Sequence, residues 1–272
     1  MPRRGAIPFS LPDFRGATRR LVFLNLLAYF ALLLLQVADH QVYSWLFIHC
    51  VFVPQAFLGG WLWQPLTYSF IHPSLVGTLF ELLSLWFLGS FLETPHGASW
   101  VTGLYAASVL GTAAAATTAI YIVADAVRMP LLQVPIYGCM GAIFGMLIVI
   151  GVLYGEVEFL LFFAISIKAR YMAAIYALIS IAMLFGEQRM YAFAQLGGAV
   201  AGLLYMRLVP RRGFNFMFSE TWYGLRNRYY RWKRHRAARK FEVYMRKQGR
   251  TVRFDGQGRQ LDEDQDDKKR WN

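Results

Sequence analysis

Charge is what this sequence has least of. Asp, Glu, Lys and Arg make up 16% of its 272 residues, where a soluble domain usually carries about 25%. With 57% hydrophobic and 17% aromatic residues, much of the chain must face something other than water. Cysteine is scarce too: Cys50 and Cys139 stand alone, which excludes a disulfide framework. Histidine occurs only at 40, 49, 72, 96 and 235, so no His or Cys cluster has ligand spacing, no metal site is expected and no cofactor is implied. Acidic residues number 16 against 28 basic ones. The resulting charge of +12 lies mostly in the first 20 residues and between Arg207 and Arg250. Basic flanks of this kind suit the cytoplasmic side of a membrane and anionic lipid headgroups; nothing in them specifies nucleic acid.

What is present instead is long apolar runs. Leu21–Ala38 holds no charged residue across 18 positions, enough for one crossing. It is too long for a signal-peptide core, and no small-residue cleavage site follows, so it is expected to be a retained helix. Gln41 to Gln64 is rich in Trp, Phe and Gly and broken by Pro54, an irregular loop suited to the bilayer interface. Further spans are expected at about Leu66–Leu92, Trp100–Val123, Gly138–Tyr154, Tyr171–Phe185 and Met190–Leu208, with Phe159–Ile167 lying at the interface. The expected fold is therefore an all-α integral membrane bundle of six transmembrane helices, with a long interfacial loop between the first two.

Three basic clusters orient it. Arg3, Arg4, Arg15, Arg19 and Arg20 precede the first span, Lys168 and Arg170 precede the fifth, and Arg207, Arg211 and Arg212 follow the sixth. Six crossings put all three on one face, as the positive-inside rule requires. Residues 1–20 thus read as a basic cytoplasmic N-terminus and 21–208 as the membrane domain. Residues 209–250 read as a basic amphipathic cytoplasmic tail suited to an anionic membrane surface, and 251–272 as a polar, disordered end. A bacterial inner membrane is the expected location.

The motifs are more specific. Trp63-Gln-Pro-Leu-Thr-Tyr-Ser-Phe-Ile-His72 leads into Leu79-Phe-Glu-Leu-Leu-Ser-Leu-Trp-Phe-Leu-Gly89. Gly138-Cys-Met-Gly-Ala-Ile-Phe-Gly145 opens the fourth span, and Ala194-Gln-Leu-Gly-Gly-Ala-Val-Ala-Gly202 lies in the sixth. In order and spacing, from about Thr18 to Arg212, these blocks resemble the rhomboid family of intramembrane serine proteases. The resemblance implies a Ser–His dyad on the fourth and sixth helices, with a His and an Asn on the second helping to hold the oxyanion. Such chemistry needs a base beside the hydroxyl and fixed donors in a dry site.

This chain departs from that pattern at each of these positions. Met140 stands at the nucleophile position and Gln195 at the base position, while Gly77 and Glu81 replace the oxyanion pair. Met has no nucleophilic oxygen, Gln is no base near neutral pH, and Gly has no side chain. The expectation is a pseudoprotease: a retained scaffold that binds transmembrane segments of client proteins without cleaving them, with His72, Glu81, Cys139, Met140 and Gln195 about the cavity. The alternatives are an intramembrane endopeptidase with an unconventional nucleophile, or a cavity for lipid or a small molecule. Cys139 lacks a base in the later spans and reads as a small core residue. Glu81 reads as a neutral hydrogen-bonding group that reaches across the old active site, with Gln195 as its partner. His72 reads as a structural hydrogen-bonding residue. Gly138, Gly141, Gly145, Gly198 and Gly202 sit at spacings that let the fourth and sixth helices pack closely.

Overall fold

A computed structural model describes residues 14–122, 131–161 and 165–209, and, in a second unit that begins at Asn215, residues 226–227, 229–233, 236, 244, 247, 253–254 and 260–261. The first helix, α1 (Gly16–Ala38), starts a turn before its apolar run because Glu93 caps it. The Glu93 carboxylate accepts from Ala17 N at 2.7 Å, Thr18 N at 2.9 Å and Thr18 Oγ1 at 2.7 Å. An anion there satisfies orphan N–H groups and the positive end of the helix dipole.

The connection after α1 is more ordered than its composition suggests. It contains α2 (His40–Cys50) and α3 (Pro54–Leu58). Asp39 caps α2 by accepting from Gln41 N and Val42 N at 2.9 and 3.1 Å, the usual role of an N-cap carboxylate. Gln64 then pins the loop from inside, accepting Val53 N at 3.2 Å, while Thr67 Oγ1 donates to the Cys50 carbonyl at 2.8 Å. Trp45, His49, Trp61 and Trp63 stack in series, with centroids 4.2, 4.5 and 5.9 Å apart.

The second expected span divides. A short α4 (Gln64–Thr67) and a 3-10 turn (Tyr68–Phe70) come first, then α5 (Leu75–His96). Pro73 causes the break, because its ring disfavours helical backbone at His72. Ser74 restarts the helix as N-cap. The third, α6 (Ala98–Ile122), follows after Gly97 turns the chain at φ 83°. Next come α7 (Met140–Leu153), α8 (Ala169–Met183) and α9 (Arg189–Leu208).

Between α7 and α8, the segment expected to lie flat at the interface is an antiparallel hairpin. Strand β1 (Glu158–Leu161) pairs with β2 (Ile165–Lys168), Glu158 opposite Lys168. Lys168 Nζ donates to Glu156 at 2.7 Å and Arg170 also pairs with it, which ties the hairpin to the start of α8. In the second unit, residues 226–227, 229–233, 236, 244 and 247 are helical, and β3 (Arg253–Phe254) pairs with β4 (Gln260–Leu261). The rest of the tail lies outside the described residues. The fold is thus mainly helical but not all-α.

The exterior of the first unit is apolar and its interior partly polar. Phe23, Leu27, Leu34 and Val37 of α1, Leu79 and Phe80 of α5, and Leu178 and Ile179 of α8 are exposed, whereas Asn25, Gln64, Ser69, His72, Ser108 and Thr112 are buried. That is the reverse of a water-soluble bundle and suits a lipid solvent. Among the described residues, three helices, α1, α5 and α6, are long and apolar enough to cross a membrane, while α7 and α8 are shorter apolar helices.

Helices α6, α7 and α9 meet through small residues. A Cβ on Gly198 would fall 2.8 Å from the Gly141 carbonyl carbon and 2.8 Å from Thr112 Oγ1, and one on Gly202 would fall 3.1 Å from Gly145 Cα. One on Gly145 would overlap Ser108, and one on Gly141 would overlap Thr112. The glycines therefore bring α6 as well as α9 onto α7. By contrast, a Cβ on Gly77 would meet only Ser74, at 3.6 Å. Gly198→Val is expected to destabilise the chain by about 1–3 kcal/mol through overpacking, and Gly77→Ala to stabilise it by up to about 1 kcal/mol. Thermal unfolding of the two variants in detergent micelles measures the contrast.

Candidate functional site

The backbone arrives at α7 through a left-handed residue, Gly138 at φ 81°. Its N–H donates to the Tyr68 carbonyl at 3.0 Å. A side chain is excluded there twice over: the backbone favours glycine, and a Cβ would lie 2.6 Å from Glu81 Oε2. That oxygen accepts the Cys139 N–H at 2.7 Å. A carboxylate from α5 thus occupies the N-terminus of α7, the place where a helix offers N–H groups and positive dipole to an anion.

Behind Glu81 stands His72. Its Nδ1 is 3.5 Å from Glu81 Oε2, and its Nε2 is 3.0 Å from Asn25 Oδ1. Asn25 Nδ2 donates to the Leu21 carbonyl at 2.8 Å. Since the Asn25 amide nitrogen is used within α1, its oxygen faces the ring, and Nε2 is the protonated nitrogen of His72. Cys139 Sγ completes the group: the donor atoms of His72, Glu81 and Cys139 all lie within 4.8 Å of one another. His72 is 5% exposed and Cys139 fully buried.

In front of Glu81 is a cavity of about 130 Å³, lined by residues that include Tyr68, Glu81, Thr112, Met140, Tyr191 and Gln195. Met140 and Gln195, the two dyad positions, therefore share one cavity with Glu81. Met140 is 43% exposed. Gln195 does not pair with Glu81 as expected; its Oε1 accepts Ser180 Oγ at 2.7 Å. The partners of Glu81 come from its other side, from Cys139 and His72. Gly77, at the start of α5, lies near Ser74 and is absent from the cavity wall. Tyr191 closes one flank, its hydroxyl donating to the Pro135 carbonyl at 3.1 Å.

Two expectations are corrected here. Cys139 was expected to lack a basic neighbour, and His72 supplies one from α5's approach. No metal-ligand cluster was expected because no spacing suggests one. Yet His72, Glu81 and Cys139 converge although Cys139 lies 58 residues from Glu81. Linear spacing detects ligands within one turn or loop, and these come from three separate elements. Asn25, Thr112 and Tyr191 had no motif to mark them, and Tyr68 lay in the Trp63–His72 block without an assigned role. Asn25 carried a signal as one of two amides, with Gln36, inside the Leu21–Ala38 run, since polar groups at membrane depth are rarely idle.

An apolar exterior around glycine-packed helices, with a buried polar cluster beside a cavity, defines an integral membrane protein. The chain belongs to the family described as eukaryotic integral membrane protein DUF1751, whose model matches residues 19–213. Among curated proteins, Rhomboid-like protein 19 of Arabidopsis thaliana is 28% identical over 153 residues, which cover 55% of this chain and 49% of that relative. The match thus spans about half the relative's length. Because the family is eukaryotic, the expected bacterial inner membrane is corrected to a membrane of a eukaryotic cell.

Glu81→Ala removes the acceptor of a buried N–H at the start of α7 and is expected to cost about 1–3 kcal/mol. Glu81→Gln keeps an acceptor oxygen and should cost less, and Met140→Ala, at a half-open position, least of all. Thermal unfolding of the three variants checks this order.

Proposed function

We propose that this protein is a rhomboid-like pseudoprotease that binds transmembrane segments of client membrane proteins without cleaving them. The observation that carries this reading is the Glu81–Cys139 hydrogen bond at the head of α7. A tetrahedral intermediate needs free donors aimed at its oxyanion, and here one such donor is already engaged by a side-chain carboxylate. Ionised, that carboxylate would repel a second negative charge. Met140 and Gln195 add neither nucleophile nor base, and they leave a cavity with an exposed thioether at its mouth. Met is well suited to varied apolar partners.

The reading includes a topology. Six crossings, with α7, α8 and α9 joining the three long helices, place both termini on the cytosolic face. The short α7 fits because it is enclosed by neighbours: most of its residues are buried. The 209–250 tail contacts anionic headgroups of the cytosolic leaflet.

A second reading has one observation in its favour. Cys139 lies close to His72, a pairing that can activate a thiol. Against it, the thiol is fully buried and is not part of the cavity wall.

The test is cleavage of labelled single-span membrane proteins by the purified chain in proteoliposomes, beside a variant carrying Met140→Ser and Gln195→His and another adding Gly77→His and Glu81→Asn. The natural chain is expected to cleave nothing, while a photo-crosslinker at position 140 captures the single-span substrates. Cleavage by the natural chain that is lost in Cys139→Ala would replace the first reading with the second. Crosslinks to lipid alone would point to a lipid cavity instead.

A further inference from the structure

We propose that His72, Glu81 and Cys139 form a binding site for a divalent transition-metal ion of the zinc class, with a fourth coordination position left to water. The donor set is one imidazole nitrogen, one carboxylate oxygen and one sulfur, the mixture that a borderline-soft ion such as Zn²⁺ selects over Mg²⁺ or Ca²⁺. Three protein ligands with an open fourth position are a known zinc arrangement.

The geometry is close to what the ion requires. Zn–N and Zn–O bonds of about 2.0–2.1 Å and a Zn–S bond of about 2.3 Å place tetrahedral donors roughly 3.3–3.6 Å apart. The His72 Nδ1 to Glu81 Oε2 separation is 3.5 Å, and no pair among the three donor atoms exceeds 4.8 Å. Side-chain adjustments of about an ångström close the set.

The imidazole is also prepared for the role. Metal-bound histidines typically donate their other N–H to an oxygen acceptor that fixes the tautomer. Asn25 Oδ1, held in orientation by the Asn25–Leu21 hydrogen bond, is that acceptor. Nδ1 is then the ring nitrogen that faces Glu81, 3.5 Å from its Oε2. Asn25 is itself fully buried, so its amide is committed to this one network.

Charge gives the third argument. A carboxylate and a thiolate carry two negative charges into a buried site, which is costly without compensation. A divalent cation cancels both and leaves the site neutral. On binding, the Cys139 thiol proton, and any proton on Glu81, leaves to solvent. Glu81 belongs both to the cluster and to the cavity wall, so the cluster lies one side chain away from the cavity.

This site does not depend on the client-binding reading and can stand if that reading fails. The test uses the full chain in detergent micelles, stripped with a chelator and titrated with Co²⁺. The expected result is one equivalent of cobalt with a thiolate-to-cobalt charge-transfer band and the visible bands of a tetrahedral ion, all displaced by Zn²⁺. The chain has two cysteines, which makes the assignment clean: Cys50→Ser should keep the band and Cys139→Ser should lose it. Asn25→Ala should keep the band but weaken zinc binding about 10–100-fold, as loss of an outer-shell partner does. A folded natural chain that shows no charge-transfer band would overturn the proposal. So would a band that survives Cys139→Ser, or one that disappears in a folded Cys50→Ser variant; the natural chain decides even if another variant fails to fold.

Discussion

The hydrogen bond between the Glu81 carboxylate and the Cys139 N–H is the contact on which the centre of this protein depends. It joins α5 to the N-terminus of α7, the most enclosed helix of the bundle. A helix that begins inside a membrane protein cannot leave its first N–H groups to water, so a partner must come from the protein. Glu81 supplies one, and its arrival dictates what surrounds it. Gly138 must lack a side chain to make room, and its positive φ turns the chain into α7. His72 must stand behind the carboxylate, and Asn25 must hold His72.

The same principle operates at the other end of α5, where Glu93 caps α1 through three hydrogen bonds. The two acidic residues of α5 thus organise the starts of two neighbouring helices. In a chain so poor in charge, both in-helix carboxylates are used as fixed acceptors. The remaining cohesion comes from glycines and small hydroxyl residues, which let α6, α7 and α9 approach closely. In lipid, close packing and satisfied backbone groups replace the hydrophobic drive that assembles soluble bundles.

The functional reading turns on how these structural demands meet the departures from the protease pattern. Met140 and Gln195 share a cavity with Glu81, and the proposed absence of hydrolysis rests on their side-chain chemistry. Glu81 is then a residue with two faces, one toward the cavity and one toward His72 and Cys139.

Much of this was legible in the linear chain. Apolar runs located α1, α6, α8 and α9 to within a few residues, because a lipid solvent demands long uncharged segments whatever they pack against. The order of motif blocks carried the rhomboid-like family, and the identities at 140 and 195, with those at 77 and 81, are what the proposed function rests on. Other features were illegible for definite reasons. The composition of Gln41–Gln64 suggested an irregular loop, because its helices are short and held by Gln64 at its end and Thr67 just beyond it. The antiparallel pairing of 158–161 with 165–168 is an interaction between two segments, which apolar content alone does not distinguish from an interfacial stretch. The meeting of His72, Glu81 and Cys139, with Asn25 behind them, was decided by tertiary structure alone. Local sequence determines which segments are helical and apolar, but only the packing of α1, α5 and α7 brings side chains far apart in the chain within bonding distance of one another.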